Sequence, residues 1–181
     1  MAYSSWSVVF SEQPSAAKWN ILGTNDSSFN DGTGIFGLYK NLLATDSNPY
    51  KFRVSMNAAA NSGNGAFAQI VFDTEQYDTN SNFASGTYTA PVTGFYQFNW
   101  GLQFAANSNN CIGSLYKNGS EYSRGSRAKS SAAVSGSTGS DIISLAATDT
   151  VRVYAYADTT TALDIVAITN NFFSGFLVSR T

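Results

Sequence analysis

Over residues 96–104 every second position is large and apolar: Tyr96, Phe98, Trp100, Leu102 and Phe104 alternate with Gln97, Asn99, Gly101 and Gln103. Successive side chains of an extended chain point to opposite faces, so this period of two predicts a strand with one buried face. A helix needs apolar residues three and four apart, and Gly101 inside the run weakens that reading further. Pro91 and Gly94 mark a turn just ahead of it. The odd positions are short, polar and uncharged apart from Phe95, so the second face suits a subunit contact as well as it suits water.

Composition supports an all-β chain and removes several chemistries. Charged residues are 12% of the 181, against roughly 25% in ordinary soluble proteins. A formal charge of −2 gives nucleic acid no basic footprint and a membrane no polybasic patch. There is no histidine, which removes the commonest general base and the usual imidazole metal ligand. The single cysteine, Cys111, cannot close an intrachain disulfide and reads as a small buried hydrophobe. Residues 1–10 lack the basic start and continuous apolar run of a secretory signal peptide. No stretch approaches the ~20 apolar residues of a membrane helix. The length is right for one domain with a short appendage.

Residues 1–48 read as a loop-rich arm. After a β-like patch at 6–10 and Pro14, residues 20–35 are dense in Asn, Asp, Gly and Ser, which compete with any regular ladder, and Trp19, Leu22, Phe29 and Ile35 serve as anchors. Asp26, Ser28 and Asn30 alternate as in a calcium loop. The sixth position is Asp31 where Gly is required, and the twelfth is Gly37 where a bidentate Glu is required, so the loop reads as turn chemistry.

Residues 49–181 read as a head of eight to ten short strands. Phe52, Val54 and Met56 alternate; 57–65 reads as a loop, 66–73 as a β-rich run and 74–86 as a polar segment anchored by Tyr77 and Phe83. Residues 105–110 read as a turn. Asn118-Gly119 between two strand-like runs predicts a two-residue hairpin, with 121–124 returning. The Ser, Ala and Gly of 127–139 read as an exposed loop, and 141–145 as a short strand. Val151 and Val153 alternate with Arg152, Tyr154 and Tyr156, and 157–161 reads as a loop that leads through Ile165, Ala167 and Thr169 toward the last strand. That strand, 172–178, is apolar on both sides, so it is expected mid-sheet and buried from both faces. The expected core is Tyr96, Phe98, Trp100, Leu102, Phe104, Val151, Val153, Phe173 and Leu177. Strands with this turn spacing and no helix predict a two-sheet jelly-roll sandwich.

Several segments together resemble one family. Tyr88-Thr89-Ala90-Pro91-Val92-Thr93-Gly94-Phe95-Tyr96-Gln97-Phe98 is similar to the F-T-x-P-x-x-G-x-Y-x-F core of the complement C1q globular heads, in the tumour-necrosis-factor-like superfamily, and Phe72-Asp73 resembles the strand before it. Leu115-Tyr116-Lys117-Asn118-Gly119 resembles the family's L-x-K-N-G hairpin. Asp149-Thr150-Val151-Arg152-Val153 resembles its G-D-x-V-x-V strand, and Phe173-Ser174-Gly175-Phe176-Leu177 its F-S-G-F-L terminal strand. The sequence departs at Thr148, where the family usually has Gly, and no collagen-like Gly-X-Y stalk precedes the head, so the family's immune role is not carried over. In the arm, Lys18-Trp19-Asn20-Ile21-Leu22-Gly23-Thr24-Asn25-Asp26 and Phe29-Asn30-Asp31-Gly32-Thr33-Gly34-Ile35 resemble a segment near the start of bacteriophage tail and virion-associated proteins.

The family resemblance implies a ten-stranded jelly roll that forms a homotrimer, and the reverse face of the central strand, with Phe95, Gln97, Asn99 and Gln103, is the expected contact. No nucleophile elbow, phosphate loop or metal motif is present and no histidine supports a triad. The pairs Asp73 with Glu75 and Asp158 with Asp164 are the carboxylates to check for a glycosidase arrangement. The expected function is therefore a non-catalytic trimeric head of a phage tail fibre or bacterial surface appendage, attaching to a host-surface glycan or protein. It is expected on a virion, outside a cell or on a cell surface. The alternative is a structural trimerisation or capping knob without receptor contact. Ligand contacts are expected on 74–86, 105–110, 127–139 and 157–171, with Tyr77, Arg124, Arg127 and Lys129 the side chains able to stack or pair. No cofactor is expected; calcium, which some family members bind, has Asp149 as its one candidate ligand.

Overall fold

A computed structural model describes residues 50–58, 60–105, 108–130, 134–163 and 170–181. The chain divides into two units, 1–47 and 48–181, and the described residues belong to the second. The arm, its anchors and its Asp- and Asn-rich loop lie outside the described residues, as do Ile165, Ala167 and Thr169.

The described residues form β1 (Lys51–Ser55), β2 (Gly63–Asn64), β3 (Phe67–Gln69), β4 (Thr74–Asp78), β5 (Phe83–Ala84), β6 (Thr87–Thr89), β7 (Gly94–Phe104), β8 (Ser108–Lys117), β9 (Ser120–Ser130), β10 (Ser135–Leu145), β11 (Thr150–Ala157) and β12 (Phe172–Arg180). Two sheets stack as a jelly-roll-like sandwich. One is antiparallel in the order β10-β7-β12-β1-β4. The other runs β5-β6-β11-β8-β9, with β2 added parallel to β11.

The alternation in β7 has one consequence in space. Tyr96, Phe98, Trp100, Leu102 and Phe104 are all buried between the sheets, with Val151 and Val153 of β11 opposite and Phe173 and Leu177 of β12 alongside. Phe52 is the hub of the aromatic core: its ring stacks on Tyr88 at 4.7 Å and meets Phe173 edge-on at 4.9 Å. Offset and edge-on contacts of this kind add about 0.5–1.5 kcal/mol beyond area burial. Cys111 is buried and unpaired.

Several segments read as loops are strands. Residues 127–130 close β9, and 135–139 open β10. The Ser and Gly of β10 carry no apolar period because the bulk at that site comes from its partner. Gly139 lies opposite Trp100, and a Cβ there would sit 2.1 Å from the indole ring. Residues 74–86 contain β4 and β5, 108–110 open β8, and 63–64 of the presumed 57–65 loop pair with β11. In each, pairing to a neighbour supplies the order that composition does not signal. The terminal strand does lie mid-sheet, between β7 and β1. It is buried from one side only within a single chain: Phe176 and Val178 remain exposed.

Candidate binding surfaces

The outer face of the five-stranded sheet is assembled by register. Ile142, Gln97, Phe176 and Lys51 form one row across four strands, and Ser140, Asn99, Ser174, Arg53 and Tyr77 form the next across five. Phe95 is 42% exposed, Ile142 54%, Phe176 42% and Val178 49%, so this face presents a cluster of large apolar side chains to solvent. Beside them lies a small polar network. The Gln97 amide donates to Ser140 Oγ at 2.6 Å, and that hydroxyl donates to Asn99 Oδ1 at 2.9 Å. Arg53 lies over the Phe172 ring at 4.6 Å.

Two depressions open on this face. One, of about 380 Å³, is lined by residues that include Lys51, Tyr77, Asn99 and Phe176; the other, of about 300 Å³, includes Gln103, Val134 and Phe172. Phe95, Gln97, Asn99 and Gln103 therefore share one surface, Gln103 being half-buried at the second depression. Tyr77 belongs to this surface too, away from the other proposed ligand residues.

The outer face of the six-stranded sheet is different in chemistry. Val151, Val153 and Ala155 of β11 point inward and are fully buried, which turns Arg152, Tyr154 and Tyr156 outward. Register sets Tyr116 of β8 across from Arg152, and Glu121 of β9 on the other side of Tyr116. Tyr116 and Tyr154 stack at 3.9 Å, and the Phe67 ring sits 5.9 Å from Tyr116 and 5.3 Å from Tyr156. Arg124 lies 5.4 Å from the Phe67 centroid and holds Glu121 by two bonds of 2.8 and 2.6 Å. Those bonds keep the Glu121 carboxyl below its usual range, while burial raises the Tyr116 hydroxyl. Arg127 donates to Asn110 Oδ1, and the Asn110 amide donates to Asp158 at 2.5 Å. The Asp158 carboxylate also accepts from the Tyr156 hydroxyl at 3.2 Å, which raises the Tyr156 pKa. Lys129 is exposed on β9.

Asp149 and Asp73 hold turns. Asp149 accepts from the Asn118 amide at 2.8 Å and the Ala146 N–H at 2.9 Å, and Lys117 Nζ lies 3.1 Å away. Both of its oxygens are thus engaged by protein donors, which lower its pKa, Asn118 most of all. Asp73 accepts from the Asn57 and Ala58 N–H groups at 2.7 Å each and from Thr74, clamping the loop after β1. Among the described residues no group of three or more His, Cys, Asp or Glu side chains is placed to hold a metal. Asp158 is tied to Asn110 and Tyr156, and Asp164 lies outside the described residues.

Sequence reasoning named the reverse side of β7 and set the doubly apolar last strand, with Phe176 and Val178, beside it, but did not name Ile142. A signal existed, since Ile142-Ile143 and the doubly apolar end of the chain both carry more apolar surface than one core needs. The aromatic and arginine face was missed as a unit because its members come from β3, β8, β9 and β11.

Residues 51–178 match the family model described as the C1q domain. Among solved structures the chain is similar to the globular domain of a zebrafish complement 1qA protein, at 19% identity and a TM-score of 0.57 over 73% of this chain and 99% of that one. It is also similar to murine APRIL, at 9% identity and a TM-score of 0.59 over 71% and 98%. A third likeness is to the tumour-necrosis-factor protein Eiger from S. frugiperda, at 10% identity and a TM-score of 0.58 over 73% and 94%. No curated protein sequence matches the chain.

Proposed function

The chain belongs to the C1q domain family, and from that premise we propose that it is a homotrimeric, non-catalytic binding head carried by an N-terminal arm. Domains of this family and the tumour-necrosis-factor-like relatives act as trimeric binding heads without catalysis. The observation that carries the reading for this chain is the outer face of the five-stranded sheet. Phe95, Ile142, Phe176 and Val178 lie there exposed and clustered, and a monomeric soluble protein rarely leaves such a patch uncovered. Gln97, Ser140, Asn99 and Ser174 between and below them are neutral amides and hydroxyls, which desolvate at far lower cost than charges, while the cations of this face, Lys51 and Arg53, both stand on β1. Three copies meeting around an axis would cover all three patches in a closed assembly.

The arm's likeness to phage tail and virion-associated proteins supports placing the head on a tail fibre or a bacterial surface appendage, attaching to a host-surface glycan or protein. Trimeric presentation converts weak single-site contacts into useful avidity. Light scattering at micromolar protein should give three times the 19.3 kDa chain mass. A monomeric mass would overturn the trimer. Host adsorption by the purified trimer is expected; a trimer that binds no cell, and whose deletion abolishes particle assembly, would instead be a structural knob.

A further inference from the structure

The outer face of the six-stranded sheet brings together two recognition elements with no role in the core. The first is a set of half-buried rings from three strands, Phe67, Tyr116, Tyr154 and Tyr156, in mutual contact at 3.9 to 5.9 Å. Neither Tyr116 nor Tyr154 uses its hydroxyl to bind another group among the described residues, so the stacked pair presents a ring surface with free polar tips. The second is the guanidinium of Arg152, which flanks Tyr116.

Arg152 differs from the other arginines on this face in having an uncompensated charge. Arg124 is neutralised by Glu121, and Arg127 is tied into the Asn110–Asp158 chain. Arg152 has only a long bond of 3.4 Å from Nη1 to the neutral Gln69 Oε1, its Nε is buried without a partner, and no carboxylate forms an ion pair with it among the described residues. A half-buried guanidinium in that condition favours a planar anion, which it can meet with paired, charge-assisted hydrogen bonds. The chain carries a net charge of −2, so this positive charge is a local feature and not part of a general basic surface. A long polyanion such as nucleic acid has little else to hold.

We propose that this face is a binding platform for an acidic saccharide, a sugar ring bearing a carboxylate. The apolar C–H face of the ring lies on the Tyr116–Tyr154 stack, and the carboxylate pairs with Arg152, taking over the weak Gln69 contact. Glu121 and Asp158, held in place by Arg124 and by Asn110 and Tyr156, leave acceptor capacity for sugar hydroxyls at the margins. The proposal rests on the chain being a binding head and names its ligand class and site.

The test is calorimetric titration of the full chain with 3′-sialyllactose and with lactose, and with glucuronate and glucose as a second acid and neutral pair. Each acidic sugar should bind at least tenfold more tightly than its neutral partner. Arg152→Gln should erase that preference, and Tyr154→Ala should weaken both members of each pair at least tenfold. Equal affinity for acid and neutral sugars in the wild-type chain overturns the platform whether or not the variants fold, as does a preference that survives Arg152→Gln. A fifteen-nucleotide oligothymidine that binds as tightly as the acidic sugars overturns it in favour of nucleic acid. Light scattering and cell adsorption on the same samples separate the two readings. A trimer that adsorbs to cells without favouring acidic sugars defeats the platform alone, whereas a monomer that binds nothing defeats the head as well.

Discussion

Thr148 holds φ at 74°, in the left-handed region where a β-branched residue is a genuine outlier. The turn between β10 and β11 imposes this: the Thr148 N–H donates to Ala90 O at 2.8 Å, and the next residue is the Asp149 that ties down the turn. Glycine adopts that angle without a Cβ clash. The left-handed form costs a side-chain-bearing residue roughly 1–2 kcal/mol, and the added freedom of an unfolded glycine offsets roughly 0.5–1 of it. Thr148→Gly should therefore raise stability by about 0.5–1 kcal/mol in urea denaturation, and a lowered midpoint would overturn the strain argument. Gly139 is the opposite case. Its absent side chain is filled by Trp100, so Gly139→Ala should cost about 1–3 kcal/mol by overpacking, read as a lower melting temperature.

At the scale of elements, the β8–β9 hairpin and the β10–β11 turn form one unit. Asn118 and Gly119 both adopt positive φ, 50° and 82°, as a two-residue type I′ connection demands. Asn118 then reaches across the sheet: its amide donates to Asp149 and its Oδ1 accepts the Thr150 N–H at 2.8 Å. Because the Asp149 carboxyl is held below its ordinary value of about 3.9, the sign of its pH effect is determined. Its contribution is complete above the unfolded pKa and is lost as pH falls through the lower folded value. Stability should decline as pH drops below about 4, and Asp149→Asn should flatten that part of the profile relative to wild type. A profile unchanged by the substitution would mean the link between the two turns is energetically idle. The Asp149 side chain is 19% exposed and its Lys117 partner 27%, so water still screens the pair and the effect should be small.

For the whole molecule, the two sheets present outer faces of different character. The five-stranded sheet shows large apolar side chains among amides and hydroxyls, with Lys51 and Arg53 on β1; the six-stranded sheet shows contacting aromatic rings flanked by arginines. Introducing charge on the first should break the proposed trimer without unfolding the chain, because Ile142 and Phe176 are exposed in the single chain. Ile142→Glu combined with Phe176→Glu should yield a monomer by light scattering with an unchanged far-ultraviolet circular dichroism spectrum. Adsorption to cells should fall by a factor of about 10²–10⁴ as avidity is lost. A trimer that survives both changes would place its contact elsewhere on the head.

The sequence by itself determined which side chains of each long strand travel together. Alternation is a property of the extended backbone, so the buried set of β7 and the inward valines of β11 were legible from residues 96–104 and 151–153, and Asn118-Gly119 announced its own turn. The small-residue strands were not legible: 127–130 and 135–139 have no apolar period, and Gly139 is explained only by the indole across from it. Apart from the Asn118-Gly119 hairpin and the last strand's place beside β7, the tertiary structure decided which strands are neighbours. Ile142, Gln97 and Phe176 form one patch, and Phe67, Tyr116, Tyr154 and Arg152 another, through pairing between segments distant along the chain. Faces are set by local backbone geometry, whereas the composite surfaces are set by register between strands, and register is a long-range choice.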